Sequence, residues 1–347
     1  MTSEQFLVRR PKQYRGTNTR HLSVQEVGRF NDLNPEEPMT VWSVHSGDDT
    51  PELCRIPQLE APIQLPMSLR TEEPAEPSLD CSSVDKILRW AEAVNYNMCD
   101  VDIVASRRLI RKLCQIPYNR KDPWKAKLYK YNNTLYLESD DTQLDGPVFW
   151  PDDYRKYGEW GVVFEDVMRT GGRRTAGYSC QDVDIRMTRL VQLGHLKLLT
   201  NSRIPCRLPG DHQDVLENYV ELKTAPVIET DRQHVNFERF QTRKFWAHCA
   251  PLGINKVYVG FRTEDGDLKA IQKFTMKDLE RIASNYWRPE CMLSFLKELM
   301  FWLQDKTSNG MTYSLNYDGQ GFNDPVKLVP GEQDDLVRIV RATFPEE

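Results

Sequence analysis

The sequence predicts an α+β fold, with mixed β-sheets flanked by helices in one main domain. Three observations carry this expectation. Short apolar runs face each other across two-residue turns, as in antiparallel hairpins. Helical patterns fall between these hairpins irregularly, without the repeating strand-helix unit of a doubly wound sheet. No internal repeat is present.

In chain order, residues 1–80 open with a basic stretch (Arg9, Arg10, Lys12, Arg15, Arg20). A run rich in Pro and Glu follows, so this segment is expected to be extended and partly disordered, with the domain proper at 81–347. Ser82-Ser83-Val84-Asp85 has the form of a capping box, and Val84, Ile87, Leu88, Ala91 and Val94 keep helical spacing to about Asn95. A second helix is expected to carry Ile103, Leu109, Ile110 and Leu113 on its apolar side, with Arg107, Arg108, Arg111 and Lys112 around the rest. Residues 127–131 and 134–137 flank Asn132-Asn133, which tolerate positive φ, and predict a hairpin. A helix over Tyr157–Met168 precedes a second hairpin, 188–193 with 196–200, turning at Gly194-His195; His195 at its tip reads as an exposed turn residue. A short strand at 219–224 and a helix holding Phe240, Phe245, Trp246 and Ala247 come next. They lead into paired strands 256–262 and 268–274, helices near 275–285 and 289–305, and strands around 311–317 and 326–329.

Composition bounds the function classes. The chain has 347 residues, 39% of them hydrophobic, enough for a large buried core. Its apolar runs are interrupted by charge, and Glu4, Arg9 and Arg10 stand where an export signal would be apolar, so neither a membrane span nor secretion is expected. Eight cysteines without a Cys-x-x-Cys pair fit a reducing compartment and no structural zinc. A net charge of -5 argues against nucleic acid coating the whole surface, but leaves room for a local basic patch.

Tyr219-Val220-Glu221-Leu222-Lys223-Thr224 is the informative motif. On a strand, residues two apart share a face, so the Glu221 carboxylate sits beside the Lys223 ammonium. Metal-dependent nucleases use such a pair: the carboxylate binds a divalent cation while the ammonium positions water or steadies charge on phosphate. Alone, the pair reads more simply as a surface ion pair, but other motifs accompany it. Gly161-Val162-Val163-Phe164-Glu165, Val104-Ala105-Ser106-Arg107 with Pro117-Tyr118, Trp246-Ala247 with Leu252-Gly253-Ile254, Val259-Gly260-Phe261-Arg262 and Glu26-Val27-Gly28-Arg29-Phe30 all stand in order. Together they resemble the decapping exoribonuclease (DXO/Rai) family over most of residues 20–317. The resemblance implies a DXO-like domain whose deep pocket admits an RNA 5′ end. In active members Mg²⁺ or Mn²⁺ supports cap or triphosphate removal and then 5′-to-3′ degradation. Carried over by position, Arg107 engages substrate phosphate, and Glu165, Glu221 and Lys223 are retained motif residues; Arg108, Arg111 and Lys112 extend the expected RNA contact.

The family's Glu-x-Asp, on the strand before Glu-x-Lys, is broken here. Counting from Gly194, that slot falls on Ser202-Arg203-Ile204-Pro205-Cys206, so Arg203 and Pro205 replace two carboxylates. Arg offers no lone pair to a metal, and Glu165 with Glu221 is a thin ligand set for a hard cation. His248 stands where the family usually has Gln. The expectation is a pseudoenzyme whose Glu165, Glu221 and Lys223 are vestigial, with no metal or other cofactor. Such a degenerate member is similar to the insect germline type. That likeness implies a nuclear, chromatin-held protein that shields nascent RNA 5′ ends and suppresses termination, decay and splicing of piRNA precursors, with Deadlock and Rhino as protein partners. Two alternatives stay open. Asp182-Val183-Asp184 could be the true motif, giving an active Mg²⁺- or Mn²⁺-dependent enzyme, or the pocket could be empty and the chain a protein scaffold.

Overall fold

The computed structural model describes residues 3–14, 22–31, 39–43, 58–59, 63–70, 84–140, 152–170, 185–209, 216–321 and 324–344. Its strands, in chain order, are β1 (Glu4–Leu7), β2 (Ser23–Asn31), β3 (Thr40–Ser43), β4 (Met67–Ser68), β5 (Ile103–Ala105), β6 (Trp124–Tyr131), β7 (Thr134–Ser139) and β8 (Ile185–Leu193). They continue as β9 (Leu196–Arg203), β10 (Cys206–Arg207), β11 (Tyr219–Pro226), β12 (Lys256–Arg262), β13 (Asp267–Thr275), β14 (Thr312–Tyr317) and β15 (Pro325–Pro330). The helices are α1 (Val84–Ala93), α2 (Arg107–Gln115), α3 (Asp152–Thr170), α4 (Asp231–Asn236), α5 (Thr242–Cys249), α6 (Met276–Ile282), α7 (Pro289–Lys306) and α8 (Asp335–Thr343).

Ten strands form one mixed sheet in the order β1-β15-β14-β6-β7-β5-β9-β8-β2-β3, and five form a second in the order β10-β11-β12-β13-β4. The α+β expectation holds. Both predicted hairpins are present, turning on Asn132 and Asn133 at φ 48° and 65°, and on Gly194 at φ 68°. Residues before position 80, read from sequence as extended, supply β1, β2 and β3 to the large sheet and β4 to the small one. Ser82 and Ser83 of the expected capping box lie outside the described residues; at the start of α1 the Val84 amide donates to Glu138 Oε2 at 2.6 Å.

One expectation is corrected. Ile103 is not on the second helix but on β5, whose β-branched pair Ile103-Val104 hydrogen-bonds in parallel with both β7 and β9. The helix begins only at Arg107, because Ser106 caps it by accepting from the Leu109 amide at 3.3 Å. This puts Arg107 at the first position of a helix that leads away from the sheet.

The core lies on both faces of the sheets. Leu109, Ile110 and Leu113 of α2 pack with Phe295 and Leu299 of α7 against Leu135, Leu137 and Leu198. On the small sheet, Trp160, Phe164 and Val167 of α3 cover Val220, Leu222 and Leu268. Gly260 permits that approach, since a Cβ there would meet Phe164 Cε2 at 2.7 Å and Leu268 Cδ1 at 2.8 Å. The helix that carries Glu165 is thereby pressed onto the strands beside Glu221.

Candidate functional site

The chain leaves the large sheet at Arg203, the last residue of β9, and enters the small sheet at Cys206, the first of β10. Ile204-Pro205 makes the crossing. Proline has no amide to donate to a ladder, which suits a break between sheets, and its carbonyl accepts from Arg169 Nε at 2.7 Å. Here β11 presents Glu221 and Lys223, α3 presents Glu165, and α2 and α5 bring Arg107 and His248.

Glu221 is 2% exposed, and three groups surround it. Lys223 Nζ donates to Oε1 at 2.7 Å, Arg107 Nη1 donates to Oε2 at 3.2 Å, and His248 Nε2 lies 3.3 Å from Oε2. Burial alone would raise this carboxyl's pKa, but Lys223, His248 and Arg107 together outweigh burial and hold it well below the usual carboxylate range. His248 moves in the direction burial dictates, reinforced by Arg107 and Lys223, down to about 3, so its imidazole is neutral at pH 7.

Arg203 donates from Nη1 to Glu165 Oε2 at 2.8 Å, and its backbone carbonyl faces Arg107 Nη1 at 3.4 Å. The slot identified from sequence therefore sits among the retained motif residues, with a guanidinium paired to one of the two carboxylates. Each carboxylate already holds a cation, and among the described residues no three His, Cys, Asp or Glu side chains converge as a metal set. By themselves, these described residues offer too few anionic oxygens to fit a hard divalent cation. Asp182 and Asp184, the competing motif, lie outside the described residues.

Of the expected RNA-contacting cluster, only Arg107 joins the site. Arg108 is half-buried, while Arg111 and Lys112 line a separate cleft further along α2. Helical geometry separates them, because Arg111 is a full turn beyond Arg107.

A buried network flanking the site went unassigned in the sequence reading. Arg29 Nε donates to Glu26 Oε1 at 2.7 Å, and the Tyr219 hydroxyl donates to Glu26 Oε2 at 2.8 Å while accepting from Arg29. Arg189, fully buried, donates to Ser202 Oγ at 2.6 Å, and burial pushes its pKa down to about 10. A register shift at Val27 lets Glu26 and Arg29, three apart, share one face of β2. Arginines at 186 and 189 inside the apolar run Ile185–Leu193 were the available signal. Among the described residues, Arg29 and Tyr219 bond to Glu26, Arg107 and Lys223 pair with Glu221, and Arg203 pairs with Glu165.

Comparison with known proteins agrees with this architecture. The family model described as "RAI1 like PD-(D/E)XK nuclease" matches residues 51–344. The decapping nuclease RAI1 of Scheffersomyces stipitis is 28% identical over 218 residues, 55% of this chain and 55% of that protein, so the match spans about half its length. Protein cutoff of Drosophila melanogaster is 21% identical over 281 residues, 73% of this chain and 71% of the relative. Among solved structures, Candida albicans Rai1 in complex with pU5 and Mn²⁺ superposes with TM-score 0.75 at 18% identity, covering 98% of this chain and 96% of that one. S. pombe Rai1 in complex with 3′-FADP gives TM-score 0.72 at 18% identity, covering 95% and 100%. With its two sheets, its Glu-x-Lys strand and a family match over residues 51–344, the chain belongs to the RAI1-like PD-(D/E)XK nuclease family.

Proposed function

We propose that this protein is a catalytically inactive member of its family that binds or shields RNA 5′ ends, without a metal or other cofactor. The observation that carries the reading is the Arg203–Glu165 ion pair at 2.8 Å, which sets a permanent cation where the family needs carboxylates. Arg107 and Lys223 remain beside Glu221, and a guanidinium and an ammonium are the donor types that bind a phosphate monoester. Similarity to Drosophila melanogaster protein cutoff supports a further part of the proposal. In that part the protein is nuclear and held on chromatin with partners of the Deadlock and Rhino kind, where it suppresses termination, decay and splicing of piRNA precursor transcripts.

The test uses purified protein with capped and 5′-monophosphorylated RNA in Mg²⁺ or Mn²⁺. The expected result is neither cap release nor shortening, with binding of 5′-monophosphorylated RNA that weakens steeply with salt and, in Arg107→Ala, across all sequences. Robust turnover that Glu221→Ala abolishes would refute inactivity. Binding that ignores both salt and Arg107 would refute the RNA-end pocket.

A further inference from the structure

We infer that the outer face shared by α2 and α5 is a second nucleic-acid contact, holding the single-stranded continuation of an RNA whose 5′ end occupies the pocket at Glu221. The inference rests on the reading above and adds a surface to it. The two helices pack together and run antiparallel away from the pocket. α2 starts at Arg107 and α5 ends at His248, both against Glu221. At their far ends Arg243 Nη1 donates to the carbonyl of Tyr118, three residues past α2, at 3.3 Å.

Cations recur along this path turn by turn. Four residues from Arg107 comes Arg111, and four before His248 comes Lys244, each on the same side of its helix as the pocket residue. They line a cleft of about 230 Å³ with Lys112, Gln115 and Asn119; Asp122, which accepts from Asn119 at 3.0 Å, is the carboxylate on its wall. One turn further, Phe240 is 38% exposed, and the guanidinium of Arg239 stands 5.1 Å and that of Arg243 5.8 Å from its ring centroid. Arg243 also lies 6.0 Å from the Tyr118 ring.

An ordinary solvated helix face would spread its charges into water and keep its aromatic residues inside. Here a π-helical turn, Phe237–Gln241, places Phe237 in the core and leaves Phe240 outside between two arginines. Arg243 is 5% exposed with no partner on Nε, and no carboxylate forms an ion pair with Arg239 or Arg243 among the described residues. A buried cation without a counter-charge is costly, and an arriving anion relieves that cost. Burial and the neighbouring Arg239 push the Arg243 pKa down to about 10, as expected for a guanidinium short of negative partners. Backbone phosphates on lysines and arginines, with a base stacked on an exposed ring, is the chemistry of single-stranded nucleic acid recognition.

The probes are 5′-monophosphorylated oligouridylates of two and ten nucleotides, followed by fluorescence anisotropy with the full chain. The longer probe should bind at least about tenfold tighter, the scale of one base stacked on an aromatic ring plus added phosphate contacts. The double variant Arg239→Ala with Phe240→Ala, both at the surface and checked for unchanged circular dichroism, should erase most of that gain and leave the dinucleotide's affinity as it was. Equal affinity for the two probes, or a gain that survives the variant, would overturn the inference. So would loss of polyglutamate binding in its place, which would assign the face to an acidic protein. If the dinucleotide fails to bind while the ten-mer binds through Phe240, the 5′-end pocket is wrong and the outer face stands.

Discussion

At the scale of single residues, the Arg203–Glu165 ion pair is the observation on which the proposed loss of the metal rests. Clustered carboxylates in a water-poor site repel one another until a cation arrives, and a covalently attached guanidinium supplies one permanently. The Arg203 side chain is 9% exposed and that of Glu165 16%, so the pair is largely shielded from solvent. Arg203→Ala should therefore cost about 3 kcal/mol in urea-induced unfolding, because it strands Glu165, whereas a surface pair would cost under about 1 kcal/mol. His248 gives the site a pH signature. An unperturbed imidazole titrates at 6.5, and this one at about 3. Between those values the unfolded chain takes up a proton that the folded chain refuses, so stability declines on acidification below pH 6.5, by up to about 1.4 kcal/mol per pH unit. Glu221 works on a lower window. Its depressed pKa gives stability that is complete above the ordinary 4.5 and is lost only as the pH falls further. His248→Gln should consequently flatten the unfolding free energy between pH 6.5 and 5; an unchanged slope there would mean that the imidazole is not buried as a neutral ring.

At the scale of elements, the site depends on how closely α3 lies on the small sheet. Gly260 sets that distance, and a methyl group in its place would press on Phe164 and Leu268. Gly260→Ala should destabilise the protein by about 1–3 kcal/mol through overpacking, and, by lifting α3, should cancel most of the further loss expected from Arg203→Ala. Full additivity of the two losses would show that α3 keeps its place. Elements with strong local signals were legible in the sequence. The Asn132-Asn133 and Gly194 hairpins, the Tyr219–Thr224 strand and the α7 helix opened by Pro289 all formed near their expected bounds. Strands such as β2 gain their definition from long-range pairing with β8 rather than from local pattern, and Ile103 was drawn into a helical spacing that the Ser106 cap excludes. The final helix α8, capped by Asp334, went unread although Leu336, Val337 and Val340 pack in the core.

At the scale of the whole molecule, a chain of net charge -5 sets Arg107, Arg203 and Lys223 against two carboxylates in one pocket and lines a neighbouring cleft with Arg111, Lys112 and Lys244. The Glu221–Lys223 contact was legible because strand geometry alone places the two together, whereas the pairing of Arg203 with Glu165 joins β9 to α3 and appears only in the folded chain. The wall formed by Arg29, Arg189 and Tyr219 was not legible either, since it draws on β2, β8 and β11, which are distant in sequence and meet only in the folded chain. The central claim is that this charge arrangement has displaced the metal, and thermal unfolding with and without Mn²⁺ tests it most directly. The unmodified protein should melt at the same temperature in both conditions. Restoring carboxylates with Arg203→Glu and Pro205→Asp together should create a Mn²⁺ response, worth about 2.7 kcal/mol at a hundredfold excess over the dissociation constant. Strong stabilisation of the unmodified protein by Mn²⁺, lost on Asp184→Ala, would contradict the account, because Asp182-Val183-Asp184 would then hold the metal and the protein would be an enzyme.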